Sequence, residues 1–317
     1  MNILVTGAAG FIGSQLCERL LNDGNLVFGI DNFDSFYDRS IKEQNLLQNR
    51  SNPNFILFEG DITDSQFLEN LFITNKIDID VIVHLAAKAG VRPSILDPIG
   101  YQKVNVEGTQ NLLELAKKYS IKQFIFASSS SVYGVNENTP WSESDFVLKP
   151  ISPYASTKLS GELLGHVYSH LYGIRFIGLR FFTVFGPRQR PDLAIHKFIN
   201  LMMNDKSIPL FGDGSTRRDY TYVDDIVQGI VASINYTQSK YEIINLGNHQ
   251  TISLLEMVHV LEVVLNKKAK IEWLPMQAGD VPITYASIEK ASILLAYEPK
   301  TAFKLGVENL IAWKNKI

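Results

Sequence analysis

The chain has 317 residues, 45% of them hydrophobic and 20% charged, a balance expected of a globular enzyme with one large core or two closely joined ones. Its formal net charge is -3 and it has no long basic run, so a nucleic acid or an anionic membrane is not an expected partner. An anionic ligand would have to be held by a few local arginines. The single cysteine, Cys17, excludes an intrachain disulfide and reads as core. No apolar run approaches the roughly 18 residues that span a bilayer. Met1 leads straight into a strand with no charged and apolar leader, so the expectation is a cytoplasmic protein.

In chain order, Ile3–Thr6 reads as a strand running into Gly7-Ala8-Ala9-Gly10-Phe11-Ile12-Gly13, and Phe11–Asn22 as a helix closed by Gly24. Glycines at such a turn let the backbone approach a pyrophosphate, which then sits at the positive helix N-terminus. The spacing is GxxGxxG, not the general GxGxxG, and its place between strand and helix carries the weight. Leu26–Ile30 is a second strand, ending at Asp31-Asn32. A carboxylate there accepts hydrogen bonds from both ribose hydroxyls and repels a 2′-phosphate, favouring NAD over NADP. The long polar segment Phe33–Arg50 reads as a surface excursion near the adenosine. Strand Phe55–Glu59 leads to Asp61-Ile62, which would meet the adenine edge. Strand Val81–Leu85 leads to Leu85-Ala86-Ala87, small enough for a cofactor backbone to pass, with His84 packed at the strand end.

Gly100–Tyr119 reads as a helix with Val104, Gly108, Leu112 and Leu115 on one face. Strand Phe124–Ser128 ends in a serine cluster, Ser128 to Ser131, followed by Val132-Tyr133-Gly134. Helix Pro153–Tyr172 opens with Tyr154 and Lys158, and strand Phe176–Arg180 follows. The strands are continuously apolar, as when both sheet faces are covered. Strands alternating with helices predict an α/β fold, a Rossmann-like doubly wound parallel sheet, over residues 1–180. Beyond Arg180, glycine and proline punctuate the chain and strands shorten. A smaller α/β substrate-binding domain is expected over 181–317, with Tyr241–Leu246, in a segment near 221–248, returning to the first sheet.

Tyr154 and Lys158 share one helix face. An ammonium beside a phenol lowers its pKa and lets it act as a base. A serine at the C-terminal edge of the sheet, where such sheets bind ligands, can bond the reacting oxygen and relay its proton. A tyrosine-lysine pair alone is common on helix surfaces, and four serines alone make a polar loop. Glycine loop, Asp31, serine cluster and Tyr154-Lys158 together, in this order, resemble the extended short-chain dehydrogenase/reductase family over essentially the whole chain.

That resemblance implies Tyr154 as general base, Lys158 tuning it and holding the nicotinamide ribose, and Ser129 as the hydroxyl partner, placed four residues before the tyrosine of Val132-Tyr133-Gly134. It implies resident NAD, a hydride taken from sugar C4, a 4-keto intermediate, and hydride return to the other face. Sugar-nucleotide 4,6-dehydratases of the family carry Asp-Glu where Ser130-Ser131 stand, and the decarboxylases usually Glu at Ser131. Both carboxyls are absent, which favours simple epimerisation.

Arg180 to Asp192, Gly212 to Tyr220 and Gln277 to Pro282 resemble the UDP-glucuronate 4-epimerases. UDP-galactose 4-epimerases commonly have Asn at Thr183 and Arg at Gln277. The resemblance places Arg218 on the diphosphate, Ala194, His196 and Lys197 beside the uracil, and Asp280 among the substrate residues. Arg190 is the candidate for the sugar carboxylate, with Thr183, Ser129 and Ser130 adding hydroxyls. The alternative makes Arg188 and Arg190 solvated loop charges. Arg92 is a second candidate for phosphate or carboxylate, its two uses unranked. His166 and His170 lie four apart but lack a third ligand, so no metal is expected. A homodimer is implied through the helices at Gly100–Tyr119 and Pro153–Tyr172, whose apolar faces fit dimer contact or core equally. The rival readings are a 4-epimerase of UDP-glucose or UDP-N-acetylglucosamine, a 4,6-dehydratase, and a non-catalytic dinucleotide sensor.

Overall fold

The computed structural model describes residues 1–75, 78–145, 149–276 and 281–316. Seven parallel strands form the central sheet: β1 (Asn2–Thr6), β2 (Leu26–Asp31), β3 (Phe55–Glu59), β4 (Val81–His84), β5 (Gln123–Ser129), β6 (Arg175–Phe181) and, after four short strands, β11 (Tyr241–Leu246). Their order is β11-β6-β5-β4-β1-β2-β3. The chain winds outward from β1 in one direction and from β4 in the other, so the loops after β1 and β4 part at the switch between them. Open α/β sheets leave a crevice at that point.

Helices cover both faces. On one side α1 (Phe11–Asn22) and α2 (Arg39–Arg50) pack with Leu16, Leu20 and Leu46 buried. On the other, α3 (Ser65–Asn75) and a long composite helix bury Leu68, Leu112 and Leu113 against Phe124 and Phe126. Each fully buried leucine contributes about 1.5–3 kcal/mol.

Two elements differ from the sequence reading. The polar segment Phe33–Arg50 holds a real helix, α2, whose buried stripe is Lys42, Asn45, Leu46 and Asn49. Its amides bond backbone instead of burying carbon: Asn45 Nδ2 donates to Ala9 O at 3.2 Å, and Asn49 Nδ2 to Ser14 O at 2.9 Å. A stripe so polar leaves no hydrophobic period. The helix expected at Gly100–Tyr119 is composite. After the short α4 (Val91–Leu96), α5 (Pro98–Gln102) is capped by Asp97, continues through a π-helical turn at Lys103–Glu107, and becomes α6 (Gly108–Lys118).

Helix α7 (Pro153–Tyr172) begins at Ser152, whose hydroxyl accepts from Ala155 N, with Pro153 in the first turn, and ends at left-handed Gly173. A Cβ at Gly161 would meet the Phe126 ring at 2.3 Å, and one at Gly165 the Phe176 ring at 2.3 Å. These two glycines let α7 lie directly on β5 and β6, which brings Tyr154 and Lys158 to the strand ends.

Beyond β6 come β7 (Thr183–Phe185), α8 (Ala194–Met203), β8 (Ile208–Phe211), β9 (Arg217–Arg218), β10 (Tyr220–Tyr222) and α9 (Val223–Ile234). After β11 follow β12 (Ile252–Ser253), α10 (Leu254–Leu265), β13 (Ile271–Leu274), α11 (Glu289–Leu295) and α12 (Phe303–Lys314). Strands pair as β7 with β10, β8 with β13 and β9 with β12. One continuous core, from Ile3 and Val27 to Val307 and Leu310, joins this part to the central sheet. Among the described residues, no helix is long and apolar enough to cross a membrane.

Candidate active site

A cavity of about 740 Å³ opens over the C-terminal ends of β1 to β6. At its floor the glycine loop is held tightly. Gly7 N donates to Ile30 O at 2.7 Å and Gly7 adopts φ 72°. A Cβ on Gly13 would lie 2.1 Å from Gly7 O, so only glycine lets α1 start here. Gly7, Gly10, Phe11, Ile12 and Gly13 line the cavity, and Gly10 brings no side chain to cap the helix. Such a turn has the shape that can cradle a diphosphate.

Asp31 is buried at the edge of the same cavity. It accepts from Ala9 N at 3.0 Å, Phe33 N at 2.8 Å and Lys42 Nζ at 3.2 Å. Lys42 was hidden in the polar segment and is a member of the site that periodicity did not reveal. Asn32 and Asp61 are joined at 2.8 Å. Burial alone would raise the Asp61 carboxyl, but bonds from Thr63 and Asn32 hold it below its usual range. Ile62, Leu85, Ala86 and Ala87 complete this wall. His84 lies behind it, bonded to Thr6 and Thr109 hydroxyls and kept neutral by burial, its pKa down at about 3.

Ser129, Tyr154 and Lys158 meet in the cavity. The Tyr154 phenol is half-buried and hydrogen-bonded to Ser129. Burial raises its pKa, and the opposing influences are the Ser129 bond and the Arg190 charge. The expected lowering by Lys158 is not seen. The ammonium instead donates to Ala127 O at 2.7 Å, with its nitrogen 5.9 Å from the Tyr154 ring centre. Burial pushes Lys158 down to about 7. A lysine one helical turn from a tyrosine shares its face, but here its length carries the charge past the ring to a strand carbonyl. Ser129 Oγ also accepts from Ser131 N at 3.2 Å and Oγ at 2.9 Å, which orders the serine loop.

The opposite wall carries Thr183, Arg190 and Arg218, with Ser130 and Ser131. Arg190 grips Asp192 through Nε at 3.0 Å and Nη2 at 2.8 Å, and its guanidinium lies 4.9 Å over Phe36. Arg188 is a structural staple, donating to Glu18 on α1 at 2.6 Å. Neither arginine is a loose loop charge.

Several expected substrate residues lie elsewhere. Arg92 is exposed outside the lining, its guanidinium 5.1 Å over the Phe211 ring. His196 is turned into the core, Nδ1 at 2.6 Å from Gln189 O and the ring edge-on to Trp313. The apolar stripe of α8 claims it. Ala194 and Lys197 are exposed, and Leu193 is the residue of this helix start that lines the cavity. Asp280 and Gln277 lie outside the described residues.

The sequence reading also missed Tyr101 and Asn105. Tyr101 packs edge-on to Tyr154, ring centres 6.3 Å apart. Asn105, in the π-helical turn, receives Lys88 N at 2.8 Å and donates to Lys88 O and Thr157 Oγ1, both at 3.0 Å. It ties the loop after β4 to α7 beside Lys158, and π-turns recur at functional sites. A polar residue between Tyr101 and Gly108 on an otherwise apolar face was the available signal. Among the described residues no group of three or more His, Cys, Asp or Glu is arranged for a metal, and His166 and His170 stand only as a parallel ring pair.

The profile of the NAD dependent epimerase/dehydratase family matches residues 3–247. The chain is 42% identical to a UDP-glucuronate 4-epimerase of Thermodesulfobacterium geofontis, covering 99% of this chain and 96% of that one. The fold superposes at TM-score 0.92 on UDP-glucuronic acid 4-epimerase from Bacillus cereus in complex with UDP-glucuronic acid and NAD, 41% identical, covering 100% and 99% of the two chains. It superposes at 0.91 on a UDP-glucose 4-epimerase from Thermotoga maritima with UDP-glucose, 31% identical over 100% and 99%.

Proposed function

The chain belongs to the NAD dependent epimerase/dehydratase family, and from that membership we propose that it interconverts UDP-glucuronate and UDP-galacturonate by inverting C4. The observation that carries the substrate choice is Arg190. It lines the same cavity as Tyr154 and Ser129, with Thr183 and Ser130 adding hydroxyls, a donor set suited to a carboxylate at C6. The greater identity to glucuronate epimerases, 41–42% against 31% for the glucose enzyme, supports the same choice.

The cradle at Gly7 to Gly13 fits a dinucleotide diphosphate, and Asp31 fits its ribose hydroxyls. Bound NAD supplies a hydride acceptor and donor for C4. Tyr154 takes the proton of the C4 hydroxyl as that carbon is oxidised to the ketone, and Ser129 donates to the reacting oxygen. Lys158 holds the nicotinamide ribose, and Arg218 the diphosphate. The 4-keto sugar turns over, and Tyr154 returns the proton when C4 is reduced on its other face. Residues 127–134 carry no carboxyl, so a dehydratase lacks its acid and base there. A dinucleotide sensor would have no use for Ser129 against Tyr154.

Oxidation at C4 makes glucuronate a β-keto acid, prone to lose carbon dioxide when the C5–C6 bond aligns with the carbonyl π-system. A carboxylate fixed by Arg190, Thr183 and Ser130 is held out of that alignment. The exposed face of α7 at Leu163, Val167 and Leu171 supports a homodimer, which sedimentation would detect, and a cytoplasmic location fits the absence of a spanning helix among the described residues. The functional test is direct. Incubation with UDP-glucuronate, UDP-galacturonate, UDP-glucose and UDP-N-acetylglucosamine should give epimers from the two uronates. Turnover of only the neutral sugars would overturn the proposal.

A further inference from the structure

Behind the serine loop lies a buried ion pair outside the chemistry described so far. Glu162, one helical turn past Lys158 on α7, receives Arg180 Nε at 2.9 Å on one oxygen and Nη2 at 2.8 Å on the other. The first oxygen also takes the Ser128 hydroxyl. The two charged side chains are only 6% and 3% exposed. The Arg180 guanidinium lies 4.7 Å over the Tyr133 ring, and the Tyr133 hydroxyl is anchored to Asn245 Oδ1 at 2.8 Å. Desolvating two charges costs several kcal/mol each, and a packed apolar pair of the same volume is commonly as stable. A pair kept in the core beside a reactive lysine therefore invites a role that carbon could not fill.

Lys158 has a need that this pair meets. Its ammonium is buried, with Ala127 O as its hydrogen-bond partner. Apart from Glu162, the neighbouring titratable groups among the described residues supply it no negative charge. Burial keeps His84 on β4 neutral and holds Tyr101, Tyr133, Tyr154 and Tyr241 above their ordinary pKa values. Glu242 on β11 is paired with Lys290, and Glu114 on α6 bonds Tyr168 and Lys117 toward the far end of α7. Lys103 and Glu107 in the π-helical turn are exposed, as is Arg92 on α4. Among the described residues, Glu162 lies one helical turn from Lys158 on α7, and the serine it holds neighbours Ala127, whose carbonyl takes the Lys158 ammonium; a negative charge there favours the protonated lysine.

We propose that Glu162, oriented by Arg180, is a positioning residue for the C4 chemistry: its carboxylate holds the Ser128 end of β5 and supplies the buried negative charge that keeps the Lys158 ammonium protonated beside Tyr154. This rests on the epimerase reading of the site. The carboxylate's bond to Ser128, next in the chain to the Ala127 carbonyl that takes the Lys158 ammonium, ties the serine loop to the charge one helical turn along α7.

The test replaces both members at once, Glu162→Gln with Arg180→Gln, so that neither charge is left unpaired. The titration of Lys158 is followed by NMR of its labelled side-chain carbon in the purified, cofactor-bound protein without substrate, the resonance being assigned with Lys158→Arg. The midpoint should fall by about one pH unit in the double variant. The alkaline limb of kcat for UDP-glucuronate should move down by the same amount, with KM little changed. Glu162→Asp keeps the ion pair but withdraws the carboxylate, and should shift both readouts the same way by less; it serves also if the double variant does not fold. A midpoint and a limb that stay at wild-type values in whichever variant folds would make the pair purely structural and overturn the proposal. The NMR midpoint is read without turnover, so it decides the inference even if the substrate panel goes against the uronates.

Discussion

Replacing Arg190 with alanine asks the sharpest question of the substrate site. The guanidinium already gives two bonds to Asp192, at 3.0 and 2.8 Å, and its side chain is only 17% exposed. A substrate carboxylate must share or replace that partner, so its net gain falls below that of a free fork. Charge-assisted bonds at a largely desolvated site contribute about 1.5–3 kcal/mol each, and discounting for Asp192 leaves about 2–3 kcal/mol in all. That corresponds to roughly 30- to 150-fold in affinity. Arg190→Ala should therefore raise KM for UDP-glucuronate by about that factor. The released carboxylate can swing into line with the C4 carbonyl, so carbon dioxide and a 4-keto-pentose nucleotide should appear. Each such event leaves its hydride on the cofactor. Reduced nicotinamide should then accumulate, read by its near-ultraviolet absorbance, while wild type returns it every cycle. A variant with unchanged KM, normal epimerisation and no carbon dioxide would refute the clamp.

Tyr154→Phe should cut kcat by about 100- to 10,000-fold while the protein still binds NAD, as measured by turnover and cofactor titration. Lys42→Met leaves the Asp31 carboxylate, buried against a 3.2 Å partner, without its counter-charge. It should cost about 3 kcal/mol in urea unfolding and weaken NAD retention. Asp219 is buried, and desolvation outweighs its bonds from Asn248, Ala286, Thr221 and His249, raising its pKa from 3.8 to about 6. A raised folded pKa gives stability that is complete below about pH 4 and lost as pH rises through 6, about 3 kcal/mol in total. Asp219→Asn should flatten unfolding free energy over that window relative to wild type, and parallel curves would refute the assignment.

Where sequence reading succeeded, the signal was local. The loop from Gly7 to Gly13 demands glycine because a Cβ at Gly13 would strike its own turn, and Asp31 ends the next strand, so both are fixed within one strand-helix-strand unit. Ser129 and Tyr154 sit at the end of β5 and the start of α7, elements whose strand and cap patterns are plain. Where it failed, a polar group had taken the place of an apolar one. Helix α2 buries amides and a lysine, which erases the period from which helices are read. The π-helical turn at Lys103–Glu107 shifts register and turns polar Asn105 inward, a position that a regular helix read from the sequence does not mark out.

The sequence by itself determined the strands of the central sheet, the helices α1 and α7, the dinucleotide loop, and the serine, tyrosine and lysine of the candidate chemistry, because each depends on neighbours a few residues away. Only the tertiary structure decided which arginines face the cavity, that His196 packs inward, and that Lys158 reaches a strand carbonyl instead of the phenol. It also decided that Glu162 meets Arg180. Those outcomes turn on burial and on partners far apart in the chain, and charge and hydrogen bonding take their strength from that surrounding medium.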